Sequence, residues 1–192
     1  MYNKIEYWGK RKDPNSKLSK DTANLQILWT KQFLKEKDSI LEYGPGVLRL
    51  LDLYKGRKKI NFYDISTQYK NIVEKKCKDN NILIENYVID NSGEIKTKFK
   101  NDEFDVIICS EVFLHSPDNE IVKLIEELAR IGKKVIITTW YEKGKSINTG
   151  HCWTRDYNKI IKDNKLDLVH WEENLFNNKQ LGFIYKKQRS NE

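Results

Sequence analysis

Cysteine is scarce in this chain, and its placement excludes two classes of small domain. The three cysteines, Cys77, Cys109 and Cys152, are odd in number, far apart and without a C-x-x-C pair. Neither a disulfide framework nor a zinc knuckle is expected from that pattern. Three prolines and nine glycines in 192 residues are too few for a low-complexity or largely disordered chain. Long apolar runs are missing too. Val135-Ile-Ile-Thr-Thr-Trp-Tyr141 is among the longest, far short of the ~20 residues that span a bilayer. The N-terminal Met-Tyr-Asn-Lys-Ile-Glu-Tyr-Trp has no apolar segment, so it does not read as a signal peptide. No internal repeat is visible. The expectation is a reduced, soluble, cytoplasmic domain with no membrane partner.

Lysine, by contrast, is abundant. Lysines number 29 and arginines six, against 28 acidic residues, for a net charge of +7. A basic chain can bind nucleic acid or a membrane surface. It can also follow from a composition rich in Lys, Asn and Ile, the residues of AT-rich codons. The lysines fall mainly on helix faces and connecting loops, as at Lys75-Lys76, Lys96–Lys100 and Lys186-Lys187, which favours composition. One segment, Tyr7-Trp-Gly-Lys-Arg-Lys12, does mix basic and aromatic residues.

Residues 1–37 read as an arm and one helix ahead of the main domain, residues 38–192. Asp13-Pro14-Asn15-Ser16 is a turn signal. After it, Ser19–Thr22 can cap a helix whose apolar positions are Leu25, Leu28, Trp29 and Phe33. From Ser39 onward strands and helices alternate. Strands are expected at Ile40–Tyr43, Ile60–Tyr63, Ile82–Ile89, Phe104–Cys109 and Val135–Thr139. Helices are expected over Val47–Tyr54, Gln68–Lys78, Asp118–Ile131 with Asp118 as cap, and Thr154–Asn164 with Thr154 as cap. Two last strands, Leu166–Trp171 and Leu181–Lys186, follow without a helix between them. This predicts a doubly wound α/β fold: a seven-stranded, mostly parallel sheet with helices on both faces. An antiparallel C-terminal edge hairpin and a short N-terminal helical arm complete it.

In open α/β sheets ligands bind outside the carboxyl ends of the strands. The residues there are Glu42–Gly46, Asp64, Asp90, Ser110–His115, Trp140 and Tyr141. Glu42-Tyr43-Gly44-Pro45-Gly46 joins a strand to an expected helix. Glycines there allow close backbone approach, and a helix N-terminus would offer N–H groups. Alone, G-x-G also fits a plain tight turn. Asp64, however, ends the second strand 18 residues after Gly46, where an acid can accept both ribose hydroxyls. A dinucleotide fingerprint would want glycine at position 49, where Arg49 stands.

These residues resemble the class I, Rossmann-like S-adenosylmethionine-dependent methyltransferases, from about Asp38 to Lys187. Ile40-Leu-Glu-Tyr-Gly-Pro-Gly46 is similar to the first motif, Phe62-Tyr-Asp64 to the second and Val88-Ile-Asp90 to the third. Phe104-Asp-Val-Ile-Ile-Cys-Ser-Glu-Val-Phe-Leu-His115 resembles the fourth, and Gly150–Tyr157 the approach to the last large helix. One departure is Leu48, where the family often has a third glycine.

The resemblance implies S-adenosylmethionine as cofactor and S-adenosylhomocysteine as product. No metal is expected, because His115, His151, Cys152 and His170 lack the i,i+4 or C-x-x-C spacing that would bring them together locally. It places the cofactor against Glu42, Tyr43, Gly44, Pro45 and Gly46, Asp64 and Ile65, Asp90 and Asn91, and Ser110, Glu111 and Val112. Arg11 of the arm would meet its carboxylate. His115 is the candidate general base, or else a structural residue of its loop. Tyr7, Trp8, Trp140, Tyr141, His151 and Trp153 are candidate contacts to the acceptor. Tyr7, Trp8 and Arg11 would act as a lid, or pack the arm onto the sheet. The expected partner is a small-molecule acceptor methylated on oxygen or nitrogen. The alternatives are an RNA or other nucleic-acid methyltransferase and a non-catalytic cofactor-binding member of the fold.

Overall fold

A computed structural model describes residues 3–10, 20–141, 151–175 and 180–188. Arg11, the Asp13–Ser16 turn, Ser19 and Gly150 lie outside the described residues. The chain divides into two compact units, Met1–Gly93 and Glu94–Glu192.

The first unit holds α1 (Lys4–Lys10), α2 (Lys20–Lys31), β1 (Ile40–Tyr43), β2 (Ile60–Asp64), α3 (Lys70–Asp79) and β3 (Ile84–Ile89). β1 pairs with β2, and β2 with β3, all parallel. Every residue of β1 and β2 is buried, as expected of strands covered on both faces. β3 is exposed in part.

α2 buries a different face from the expected one. Thr22, Gln26, Ile27, Trp29 and Thr30 are buried, while Leu25 and Leu28 are 42% and 62% exposed. Trp29 lies on the buried side, with Phe33 edge-on at 5.0 Å. The polar residues a turn away from Trp29 are buried with it.

The stretch after β1 is the largest departure. Val47 to Tyr54 forms turns and a single 3-10 turn at Leu51–Leu53, not an α-helix. Leu48 sits at φ +54°, outside the helical region. Leu48, Leu50, Leu53 and Tyr54 are each at most 2% exposed. The apolar spacing that suggested a helix instead marks a buried loop. The reading of a helix N-terminus beside the glycines is therefore corrected.

The second unit holds β4 (Val106–Ser110), α4 (Asp118–Ile131), β5 (Val135–Trp140), α5 (Tyr157–Asp163), β6 (Leu166–Asn174) and β7 (Gln180–Lys187). β4 and β5 pair in parallel, and β7 runs antiparallel to both β5 and β6. α4 buries Ile121, Leu124, Ile125, Leu128, Ala129 and Ile131, the 3–4 spacing its sequence shows.

Its cap differs from the expectation. Pro117, at ψ +163°, is the N-cap and Asp118 is the first helical residue. The Asp118 carboxylate instead takes the Arg155 guanidinium at 2.8 Å. α5 is capped by Asp156, whose Oδ1 accepts the Lys159 N–H at 2.9 Å. Thr154 is buried ahead of it. A capping oxygen must lie two or three residues before the N–H it accepts, and Asp156 meets that spacing.

The architecture is the seven-stranded, mostly parallel α/β arrangement with an antiparallel C-terminal hairpin. Among the described residues no helix is long and apolar enough to cross a membrane.

Candidate active site

In the first unit, three strand ends come into line. The Gly44 N–H donates to the Tyr63 carbonyl at 2.8 Å, and the Asp90 N–H to the Asp64 carbonyl at 3.0 Å. Residues 43–46, Asp64 and Asp90 thus share one edge of the unit's sheet. Gly44 and Gly46 hold φ at +73° and +52°, a region L side chains rarely adopt. A Cβ at Gly46 would meet nothing within 4 Å, so the backbone there faces open space.

Asp64 lies at the base of that loop, 6% exposed. Its Oδ1 accepts the Ser66 N–H at 2.9 Å and its Oδ2 the Gly46 N–H at 3.4 Å. Burial pushes its pKa up to about 6, against the lowering effect of the Ser66, Gly46 and Ile65 N–H groups. Each carboxylate oxygen keeps a lone pair for a further donor. Asp90 is half-buried and accepts the Ser92 N–H at 3.0 Å, beside exposed Asn91.

Glu42 occupies a different place from that expected of a ligand contact. It is 2% exposed, and its Oε2 accepts the Tyr54 hydroxyl at 2.7 Å. Burial lifts its pKa to about 7 despite that bond. It supports the glycine loop from inside. Tyr43 is buried, stacked on Tyr63 at 4.7 Å, and Pro45 is buried.

Leu48, two residues after Gly46, is strained in backbone and buried in side chain. Leu48→Gly would relieve ~1 kcal/mol of backbone strain but lose a buried leucine worth ~3–5 kcal/mol. The expected result in urea denaturation is a net loss of about 2–4 kcal/mol. A neutral or stabilising change would show that the strain dominates.

The arm packs at this end of the unit. A Cβ on Gly93 would touch Ile5 Cδ1 of α1 at 3.4 Å. Tyr7 and Trp8 are half-buried and meet edge-on at 5.1 Å.

In the second unit, β4 ends at Ser110, whose Oγ accepts the Thr138 hydroxyl at 2.8 Å. Glu111 follows at φ +58°. Its N–H donates to the Thr138 carbonyl at 2.8 Å, and Val112 beside it is half-buried. Phe113–His115 forms a 3-10 turn that is tied to residues 151–153. The Trp153 N–H donates to the Leu114 carbonyl at 2.7 Å.

His115 Nδ1 lies 2.9 Å from the His151 carbonyl. A carbonyl only accepts, so Nδ1 carries the proton and the lone pair of the neutral ring is on Nε2. The His115 and His151 rings lie nearly parallel, with centroids 6.4 Å apart. Cys152 Sγ sits 3.7 Å from His115 Nδ1, so the fold brings together two residues whose spacing does not.

The aromatic candidates separate. Trp153 is buried at 8%, packing rather than presenting its ring. Trp140 and Tyr141 are half-buried, and Tyr141 meets Trp171 edge-on at 6.2 Å. Arg11 lies outside the described residues. Among the described residues, no group of three or more His, Cys, Asp or Glu side chains is placed to hold a metal ion.

Gln180 was missed. Its amide donates to Glu111 Oε1 at 2.9 Å, while Glu111 Oε2 accepts the Trp140 N–H at 3.3 Å. No local pattern links positions 111 and 180; only β-sheet register does.

Residues 40–134, about half of the chain, match the family model described as a methyltransferase domain. No curated protein matches the sequence. Among solved structures, the magnesium protoporphyrin IX methyltransferase of Synechocystis PCC 6803 with bound SAH aligns at a TM-score of 0.69 and 15% identity. That alignment covers 88% of this chain and 83% of the other. A SAM-dependent methyltransferase from Aquifex aeolicus aligns at 0.65 and 17%, over 96% and 98% of the two chains. The Burkholderia thailandensis 1,6-didemethyltoxoflavin-N1-methyltransferase aligns at 0.69 and 10%, over 89% and 80%. At these identities the likeness is one of fold. With the family match and the glycine loop over Asp64, the chain belongs to the class I S-adenosylmethionine-dependent methyltransferases.

Proposed function

We propose that the chain moves a methyl group from S-adenosylmethionine to an oxygen or nitrogen of a small molecule. The observation that carries the reading is the pair of left-handed glycines, Gly44 and Gly46, with open space at Gly46 beside the Asp64 carboxylate. That arrangement suits a ligand lying close to backbone with hydroxyls to donate. S-adenosylmethionine, when bound, supplies an electrophilic methyl group on a sulfonium.

The chain's own residues then have separate tasks. Asp64 accepts the ribose hydroxyls, and Gly44 and Gly46 admit the ligand to the main chain. Asp90 and Asn91 line the adenine side, and Ser110 to Val112 are the candidate cofactor contacts of the second unit. His115 Nε2, its tautomer fixed by the His151 carbonyl, takes the proton that the acceptor loses. Tyr7, Trp8, Trp140, Tyr141 and His151 contact the acceptor and exclude water.

The small acceptor is supported by what the lysines do. Lys55 pairs with Asp52, Lys70 with Glu74, Lys75 with Asp79, Lys133 with Asp105 and Lys159 with Asp163. Charges matched on their own surface leave less for a phosphate backbone. Two of the structural neighbours are named for magnesium protoporphyrin IX and for 1,6-didemethyltoxoflavin.

A mobility-shift titration with RNA at low salt tests the choice, run beside transfer of labelled methyl groups to a panel of phenols and amines. The expected result is no shift and label on a small acceptor. A shift lost steeply with added salt, together with labelled RNA, would establish the nucleic-acid reading instead.

A further inference from the structure

We propose that Gln180 is a positioning residue for methyl transfer, acting through Glu111; the inference rests on the methyltransferase reading above. Glu111 is the first residue after β4 and holds φ at +58°. A non-glycine residue stays in that region only when its surroundings impose it.

Three contacts impose it here. The Glu111 N–H is fixed to the Thr138 carbonyl of β5. Its Oε2 takes the Trp140 N–H at the end of β5, and its Oε1 takes the Gln180 amide at the start of β7. Gln180 is 7% exposed and sits opposite Trp140 in the β5–β7 register. One carboxylate therefore ties together the ends of β4, β5 and β7. The two groups it braces are the loop proposed to line the cofactor and the tryptophan proposed to face the acceptor. Gln180 touches neither ligand in this scheme. It holds the carboxylate that places both, through a charge-assisted bond stronger than a neutral one.

The chemistry of the pair suggests a test that a purely structural role would not pass. Gln180→Glu sets two carboxylates against each other at pH 8, and a shared proton relieves them at pH 5.5. In the double variant Glu111→Gln/Gln180→Glu the new amide at 111 donates to the new carboxylate at 180. Its oxygen still accepts the Trp140 N–H, so both bonds are restored with donor and acceptor exchanged.

S-adenosylhomocysteine is titrated calorimetrically into the full-length protein, with every affinity taken relative to wild type at the same pH. Gln180→Ala and Gln180→Glu should each bind about tenfold more weakly at pH 8, the equivalent of one lost charge-assisted bond. The Gln180→Glu deficit should shrink at pH 5.5, and the double variant should recover most of the affinity at both pH values. Wild-type affinity in both single variants, or a double variant no better than Gln180→Glu, would overturn the inference alone. No binding by the wild-type protein would overturn the methyltransferase reading and this inference with it.

Discussion

Asp64→Ala is expected to lower S-adenosylmethionine affinity by at least about a hundredfold, with two bonds to a charged acceptor lost at ~1.5–3 kcal/mol each. The carboxylate is the feature that the left-handed glycine loop surrounds: its Oδ2 takes the Gly46 N–H and its Oδ1 the Ser66 N–H. Removing it takes away the proposed ribose acceptor and also leaves the Gly46 N–H without this partner. Asp64→Asn separates the two effects. Its amide keeps the shape and one accepting oxygen, so an intermediate loss is expected. The pKa adds a check that no substitution is needed to see. Asp64 titrates at about 6, and only the ionised carboxylate accepts both hydroxyls. Wild-type affinity should therefore fall as pH drops through about 6, and the Asp64→Asn variant should lack that fall. Equal affinities for wild type and Asp64→Ala would remove the ribose role from Asp64.

The second large effect is on folding stability. Glu42 is raised from 4.5 to about 7 and Asp64 from 3.8 to about 6, both chiefly by burial. A group whose folded pKa is raised holds its proton more tightly in the folded state. Between the unfolded and folded values the native chain binds more protons, so stability falls with rising pH. The contribution is complete below about pH 4 and gone above about pH 7. For Glu42 alone the shift corresponds to ~3 kcal/mol at 1.36 kcal/mol per unit. Glu127 works in the opposite sense: burial raises its pKa, but its bonds to Arg130 and Thr97 together outweigh that and hold it below the usual carboxylate range. That effect lies at lower pH and does not offset the loss near neutrality. Urea denaturation from pH 5 to pH 8 should show the decline. Glu42→Gln keeps an oxygen for the Tyr54 hydroxyl and cannot ionise. It should flatten the profile and exceed wild type at pH 8. A wild-type profile that rises across this range would contradict the assignment.

The placement of the candidate site in the first unit was legible in the sequence, because strand ends carry their own signals. Ile40–Tyr43 and Ile60–Asp64 are short apolar runs closed by Gly or Asp, and those closures place residues 43–46 and Asp64. The structure adds that Glu42 faces inward to Tyr54, a distinction that no spacing shows. The stretch 47–54 was misread because burial and helix periodicity give the same apolar pattern. Only the left-handed Leu48 separates them. In α2 polar Thr22, Gln26 and Thr30 are buried beside Ile27 and Trp29 while Leu25 and Leu28 stay exposed, so apolar spacing alone does not mark its buried face. Gln180 was illegible because its partner is 69 residues away and the contact depends on sheet register. Trp153 read as a ligand contact because of its type and place, yet it is buried.

The central claim is that the glycine loop and Asp64 hold S-adenosylmethionine. It is tested most directly by calorimetric titration of S-adenosylmethionine into the wild-type protein and the Asp64→Ala variant at pH 8. The account predicts saturable one-to-one binding by wild type and its loss in the variant. No saturable heat from the wild-type chain, or the same isotherm from both proteins, would contradict it.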